Sequence, residues 1–332
     1  TARSRGLGDV YKRQVYLCDK ARKAIFSFLK KVKPYGTLPP KLMIKAYKVL
    51  IEPILLYGSD VWASSKHMLD SIDKVCLFFI RYILRVKPTT SNLMCFGEVG
   101  IIPPSVIAKT NFLNFYIRVK QAHPNSLENI ALKELYEFND VGFTNIISTV
   151  NKIAKSHNIN LDLCSFTKES TNCLKLLIKS DYIQSWHDSV VSNNSTLRWY
   201  KQLKKSFGAD QYLSSVKNDK HRHALTKFRC SSHFLEIERA RHQNNIPPIW
   251  KRTCPYCPNA VDDELHLLLF CSKNRGIRQA FLDFVFDINP DIANMHHNDK
   301  FLTIMSSDDN NIIKSLGKFI YESLESRKVL DS

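Results

Sequence analysis

The sequence predicts a mostly α-helical protein, and three observations support this fold class. Apolar residues recur every three or four positions along several long stretches, which places them on one face of a helix. Prolines and Asn- or Ser-rich segments separate these stretches. No strand-rich region is visible, so any strands should be short and lie near the C-terminal cysteine motif.

The N-terminal part reads as a series of helices. An apolar stripe over residues 15–33 predicts the first, which Pro34 and Gly36 end. A second helix begins at Pro40, because proline suits the first helical turn. Pro53 lies inside the pattern of this second helix and should kink it.

Further helices follow along the chain. Residues 67–86 form a third amphipathic stretch, and residues 105–121 form another after Pro103 and Pro104. Shorter helical runs occupy 126–206, and SNNST at 192–196 is a candidate domain boundary.

The C-terminal part combines a basic stretch with the cysteine motif. Residues 213–245 read as helical and very basic, a small zinc-knuckle-like module follows at 250–275, and helices near 276–288 and 309–327 close the chain.

We therefore expect four parts. Residues 1–14 (TARSRGLGDVYKRQ) lack an initiator Met and periodicity, and they resemble translated adaptor sequence, so we exclude them from fold reasoning and expect the chain to be a fragment. Residues 15–104 form a helical N-terminal region, 105–195 a helical connector of unknown role, and 196–332 the basic region with its cysteine module.

Charge indicates an anionic partner. Lys plus Arg number 48 against 31 acidic residues, a formal net charge of +17, which favours nucleic acid or an anionic surface as the partner. A merely soluble basic protein is the alternative. No apolar run approaches the roughly 20 residues of a membrane helix, and no signal-peptide core is visible, so we expect no membrane partner.

The nine cysteines do not suggest a disulfide framework, because their number is odd and six are scattered. They favour a reducing intracellular compartment, either the nucleus or a cytoplasmic ribonucleoprotein.

The other three cysteines belong to a metal motif, C-x2-C-x8-H-x4-C, formed by Cys254, Cys257, His266 and Cys271. Three thiolates and an imidazole at these spacings can enclose one structural zinc ion and leave no open position for water. Asp262 is the expected N-cap of the helix that carries His266. The alternative is two buried cysteines, a surface histidine and a cysteine at the end of a helix. A zinc deaminase is rejected, because its H-x-E element precedes the cysteine pair.

A basic, aromatic-containing stretch precedes this motif. Residues 217–252 hold nine Lys or Arg against three acids, and Phe228, Phe234 and Trp250 interleave with them. Cations can neutralise phosphates and planar rings can stack on unpaired bases. A solvated helix face with core aromatics is the alternative interpretation.

Two blocks of the sequence resemble non-LTR (LINE-type) retrotransposon reverse transcriptases. KAYKVLIEPILLYGSDVW at 45–62, DKVCLFFIRYILRV at 73–86 and GEVGIIPP at 97–104 are similar to the region after the polymerase palm. The matching residues are Tyr57, Gly58, Trp62, Glu98, Gly100 and Pro103. This resemblance implies that 15–104 is a helical thumb-like region beside the template–primer.

The second block, residues 227–278, resembles the C-terminal segment of the same elements, which is implicated in binding element RNA. The metal motif matches by position, and so do Arg229, His233, Glu238, Arg241, Arg252, Glu264 and Arg278. Together with the charge pattern, the resemblance gives these expected nucleic-acid contacts: Lys227, Arg229, His233, Arg239, Arg241, Lys251, Arg252 and Arg278.

The chain departs from the family in lacking a Tyr-x-Asp-Asp hairpin, whose carboxylates would hold the polymerase metals. We therefore expect no enzyme activity and no small-molecule substrate for this chain alone, although the resemblance implies that its parent is an RNA-directed DNA polymerase. The expected function is binding of RNA, template–primer or target DNA. The alternative is a zinc-stabilised protein–protein interaction module of a truncated or domesticated element.

Overall fold

The computed structural model describes residues 2–140, 145–160, 167–192 and 197–328. This part of the chain is mostly helical and contains no strand, which confirms the predicted fold class. Two isolated antiparallel bridges occur, between Val99 and Ala209 and between Thr253 and Val261. The second bridge lies beside Cys254, where short extended structure was expected.

The helices before residue 193 run as follows: α1 Ala2–Val32, α2 Pro40–Ala46, α3 Glu52–Leu56, α4 Ser59–Trp62, α5 Lys66–Leu84, α6 Asn92–Val99, α7 Pro104–Lys120, α8 Leu127–Asp140, α9 Ile146–Ser156 and α10 Lys168–Ser192. A π-helical turn, Tyr47–Ile51, joins α2 to α3, and a 3-10 turn, Lys33–Tyr35, follows α1.

The later helices are mostly shorter: α11 Tyr200–Leu203, α12 Tyr212–Ser215, α13 Asp219–Arg229, α14 Glu236–Arg239, α15 Glu264–Leu269, α16 Arg275–Ile288, α17 His297–Met305 and α18 Asn310–Lys328. 3-10 turns at Ala240–His242, Ile249–Lys251, Ser272–Asn274 and Pro290–Asn294 connect them.

The predicted helices before residue 122 are present, and the ends of α5 and α7 lie within two residues of the predicted ends. The kink expected at Pro53 takes the form of the π-helical turn and a new helix that starts at Glu52. This follows because proline removes a backbone donor and clashes with the preceding turn. Helix α1 continues back to Ala2, through the segment excluded from fold reasoning. The proposed joint at 192–196 falls mostly outside the described residues.

The structure adds detail to the expectations for the C-terminal part at two places. Residues 213–245 are not one helical stretch but three short helices and a 3-10 turn. Helix α17 was not predicted.

The chain divides into two compact units. The first comprises residues 1–36, 44–79 and 101–188, and the second comprises 37–43, 80–100 and 189–332. The predicted thumb-like range 15–104 therefore contributes to both units.

The first unit is built around aromatic and aliphatic side chains. Tyr47 stacks on Phe79 at 5.4 Å between ring centroids. Asp73 of α5 accepts hydrogen bonds from the backbone N–H and the hydroxyl of Ser105, at 2.9 and 2.6 Å, and so fixes the first turn of α7. Burial raises the pKa of Asp73 to about 6, against the lowering effect of those bonds.

In the second unit α18 packs against α13 and α16. Phe281 and Phe319 stack with centroids 4.8 Å apart, and Trp199 contacts Phe301 at 4.6 Å. Gly100 adopts φ +65°, and a Cβ there would lie 2.5 Å from the backbone nitrogen of Ala209. Only glycine therefore fits where this chain crossing is so close.

In the described ranges, no single helix is both long and apolar enough to cross a membrane. Helices α6 and α7 pass the same length and hydropathy test only when they are combined as a bent pair.

Candidate metal centre

A tight turn positions the first two cysteines of the motif. Cys254 N–H donates to the Ala260 carbonyl at 2.8 Å, beside the Thr253–Val261 bridge. Cys257 N–H donates back to the Cys254 carbonyl at 3.4 Å, which brings both thiols to one side of the turn. Asn259 completes the reversal with φ +58°, a conformation that asparagine tolerates better than most residues.

Helix α15 and the residues directly after it position the other two cluster residues. Asp263 is its N-cap, and its Oδ1 accepts from the His266 N–H at 2.7 Å. The N–H of Cys271 donates to the His266 carbonyl at 2.8 Å, just after the helix ends. His266 and Cys271 thus lie next to each other, facing the cysteine turn.

The four side chains converge on one centre. The ligand atoms of Cys254, Cys257, His266 and Cys271 all lie within 4.8 Å of one another, and Sγ of Cys254 is 4.0 Å from Sγ of Cys271. Tetrahedral zinc with bonds of about 2.3 Å would separate two sulfurs by about 3.8 Å. This Cys3His cluster could hold one metal ion.

Burial and hydrogen bonding also fit a metal. Cys254, Cys271 and His266 are buried, and Cys257 is half-buried. Nε2 of His266 is buried without a hydrogen-bond partner among the described residues. An orphaned imidazole nitrogen is costly unless something accepts its lone pair or proton, and a cation at the centre of the cluster would remove that cost.

Hydrogen-bond donors outside the cluster contact its cysteines. An Arg327 guanidinium nitrogen lies 2.8 Å from Sγ of Cys271 and 3.6 Å from Sγ of Cys254. The Ser272 N–H donates to Sγ of Cys257 at 3.2 Å. Arg278 donates to the Cys271 carbonyl. The hydrogen bond with Cys254, followed by the effects of His266 and Arg327, lowers the pKa of Cys271 to about 3, although burial opposes this. A low pKa favours the thiolate, which is the form that binds metals.

The sequence suggested Asp262 as the N-cap of α15, but Asp263 has that role. Asp262 is buried, and its Oδ1 accepts from Arg327 at 2.6 Å while its Oδ2 accepts from the Glu236 N–H at 3.0 Å. It therefore orients the arginine that faces the sulfurs and ties the cluster to α14 and α18. Local spacing could not separate these two adjacent aspartates.

Three of the expected nucleic-acid contacts are instead internal. Arg229 is 6% exposed and bonds Glu98 and Asp210, at 3.3 and 3.0 Å. Arg252 is 8% exposed and donates to the carbonyls of Pro247 and Ile237, at 3.0 and 2.7 Å. Neither guanidinium is on a surface that a phosphate could reach.

His233 is the third internal residue, at 2% exposed. Its Nε2 lies 3.1 Å from Glu264, whose other oxygen accepts from Arg198 at 2.6 Å. Burial alone would raise the pKa of Glu264, but the hydrogen bond from His233 and the charge of Arg198 lower it to about 2. Arg229, His233 and Arg252 therefore have structural roles inside the second unit.

The other expected contacts remain accessible. Arg239 and Lys251 are exposed, while Lys227, Arg241 and Arg278 are half-buried. Arg241 bonds Glu238 at 3.0 Å.

The environment of His223 shows that part of the second unit is strongly positive. Burial, followed by the charges of Arg222, Arg85 and Lys227, lowers the pKa of His223 to about 4. Such a concentration of positive charge disfavours one more proton. Arg85 and Lys227 thus belong to one basic region, although they are distant in sequence.

Residues of the first similar block have local structural roles. In the first unit, the Trp62 indole donates to the Tyr57 carbonyl at 3.0 Å across Gly58, which has φ +67°. In the second unit, Glu98 is fully buried and accepts from Tyr212 at 2.5 Å as well as from Arg229.

Sequence reasoning missed Arg327, Asp210 and Arg198. Each contacts a partner across a separation of 19 to 73 residues, as in the Arg229–Asp210 and Arg327–Cys254 pairs. No spacing rule links such positions.

No protein family, curated protein sequence or solved structure matches this chain.

Proposed function

We propose that this chain is the C-terminal part of a LINE-type reverse transcriptase and that it binds nucleic acid around a structural zinc. The observation that carries the proposal is the Cys3His cluster, whose ligand atoms lie within 4.8 Å of one another inside a chain of net charge +17. The cluster is formed by the metal motif of residues 227–278, the block that resembles the C-terminal segment of these elements.

Zinc is the metal that suits this ligand set best. Three thiolates and one imidazole are soft or borderline donors, which zinc accepts in tetrahedral geometry. Four protein ligands fill that geometry, so the metal has a structural role here. Binding of one zinc would stabilise the module by on the order of 10 kcal/mol.

Accessible cations and one ring support an anionic partner. Arg239 and Lys251 are exposed, and Trp250, next to Lys251, is 72% exposed. An exposed indole beside a cation can stack on an unpaired base while the cation neutralises a phosphate. This combination favours single-stranded RNA or the strand ends of a template–primer.

The test is a filter-binding titration of the full chain with single-stranded RNA over a range of KCl concentrations. Four or more phosphate contacts give a log–log slope steeper than about −3, because each contact contributes roughly −0.7 to −0.9. Lys251→Gln should make the slope about one contact shallower. Lys318→Gln is the matched control, because Lys318 pairs with Glu322 at 3.8 Å and is similarly exposed. A salt-independent affinity would refute the proposal.

A protein–protein interaction module is the second proposal, and exposed apolar side chains support it. Ile246, Ile249 and Trp250 are 61, 52 and 72% exposed, and Phe270 is 42% exposed. Replacing both Arg239 and Arg241 with Ser separates the two functions. Nucleic-acid binding predicts weaker RNA retention with unchanged folding, whereas a protein-binding module predicts no change in RNA retention.

This chain alone is proposed to have no polymerase activity, because the carboxylates of the family's metal site have no counterpart in its sequence. Primer extension by the purified chain would contradict this.

A further inference from the structure

A cavity of about 330 Å³ lies in the second unit, away from the Cys3His cluster. Three segments line it: residues 87–94 before and within the start of α6, residues 230–231 after α13, and residues 238–242 around the end of α14. This volume lies near the lower end of the range for small-molecule sites, which begins at about 300 Å³.

Hydroxyl groups line one side of this cavity. Thr89, Thr90 and Ser91 follow one another there. Thr90 is 7% exposed, and its Oγ1 is buried without a hydrogen-bond partner among the described residues. Ser91 is the N-cap of α6, yet its side chain makes no capping bond. Hydroxyls not used by the fold, at the positive end of a helix, favour an anion.

Cations complete the polar side. The Lys87 ammonium donates to the His233 carbonyl at 2.9 Å, which uses one of its three donors and holds it at the cavity. Arg241 lines the cavity and is held by Glu238, the one acidic residue in the lining. Exposed His242 adds an imidazole ring that can form a hydrogen bond with a ligand. The arrangement suits a group with charge −1 or −2.

The other side of the cavity is apolar. Met94 and Cys230 are 2% and 1% exposed and contribute to the lining. Methionine is polarizable and packs well against aromatic rings. An inorganic anion would leave this surface unused, whereas a ligand that joins a phosphate to a flat ring would use both sides.

We propose that this cavity binds a nucleoside monophosphate unit, with its phosphate against Lys87, Thr90 and Ser91 and its base against Met94. This inference rests on the proposed function, because the bound nucleotide would be part of a single-stranded nucleic acid. It would be either the terminal nucleotide or one that is splayed out from the strand. The cavity would then hold one nucleotide while the exposed cations follow the rest of the strand.

The experiment uses the full chain, adenosine 5′-monophosphate as the probe, and adenosine as the probe without phosphate. Isothermal titration should give one AMP per chain, with adenosine at least about tenfold weaker, the loss expected for one or two charge-assisted hydrogen bonds. Lys87→Gln and Ser91→Ala should each weaken AMP binding, Lys87→Gln by about tenfold. Ser91→Ala tests the site without disturbing the fold, because that hydroxyl makes no capping bond. Lys318→Gln, outside the lining, should leave AMP affinity unchanged.

A competition arm separates this inference from the proposed function. A 12-nucleotide single-stranded RNA should displace AMP. If RNA binds with a steep salt slope and AMP either does not bind or is not displaced by the RNA, the cavity inference fails and the proposed function stands. If AMP binds and RNA does not, the cavity is a site for free mononucleotides and the proposed function fails.

Discussion

Arg327 is the residue on which the charge balance of the Cys3His cluster depends. Zinc with three thiolates carries a net charge of −1, and this guanidinium lies 2.8 Å from one of the sulfurs. Asp262 in turn holds the guanidinium at 2.6 Å. Groups that bond to metal ligands orient them and stabilise their charged form.

Replacing Arg327 with Gln should therefore weaken zinc binding by about 10- to 100-fold, the usual effect of losing such a partner. Competition with a colorimetric zinc chelator measures this affinity. Lys318→Gln, on the same helix but 63% exposed, is the control and should bind zinc like the wild type. Equal affinity in both variants would contradict the assigned role.

Asp73 gives a prediction about pH in the first unit. Its folded pKa of about 6 exceeds the unfolded value of 3.8. The folded state therefore binds more protons between these values, and Asp73 makes the protein less stable as pH rises from about 4 to 6. The effect is on the order of 2–3 kcal/mol.

Asp73→Asn should remove this dependence, because an amide can still accept from Ser105 but does not titrate. Urea unfolding at pH 4, 5, 6 and 7 provides the measurement. The free energy of unfolding of the variant, relative to that of the wild type, should therefore increase as the pH rises from about 4 to 6. A constant difference at every pH would contradict the account.

At the scale of elements, the turn after α6 depends on Gly100. Its φ of +65° is unfavourable for other residues, and a Cβ would lie 2.5 Å from Ala209 N and 2.8 Å from Gly208 C. Backbone atoms cannot give way as a flexible side chain can. Gly100→Ala should destabilise the protein by about 1–3 kcal/mol.

Gly276→Ala is the matched control, since nothing lies within 4 Å of its added Cβ and the residue is helical. It should stabilise by about 0.5–1 kcal/mol, because alanine is the better helix former. Denaturant unfolding distinguishes the two signs. Similar effects of both substitutions would show that the close approach is absent.

The elements also show how far local sequence patterns reach. The π-helical turn before Pro53 and the long helix α5 follow from patterns that span many residues. Helix α17, with nine residues, and the four-residue α14 are too short for periodicity to distinguish them from turns. The four residues of the Cys3His cluster were predictable because they fall within one segment, whereas Arg327 reaches them only through the packing of α18.

At the scale of the whole molecule, the metal should stabilise one unit selectively. The Cys3His cluster joins the cysteine turn to α15, and Arg327 and Asp262 join it to α18 and α14. Its bonds all lie within the second unit. Metal removal should therefore loosen that unit and leave the first unit as it was.

Hydrogen exchange with and without 1,10-phenanthroline tests this expectation. Amides of α15 and α18 should lose protection on chelation, while those of α7 and α9 should keep theirs, since local stability follows local contacts. Uniform loss of protection in all four helices, or no loss in any, would contradict a local structural metal.

The cluster itself is tested most directly by elemental analysis of the full chain purified without chelators. The account predicts about one zinc per chain, lost in Cys254→Ser and Cys271→Ser, because each substitution removes one of four ligands. A folded wild-type chain that contains no zinc, and that takes up none on titration, would contradict it.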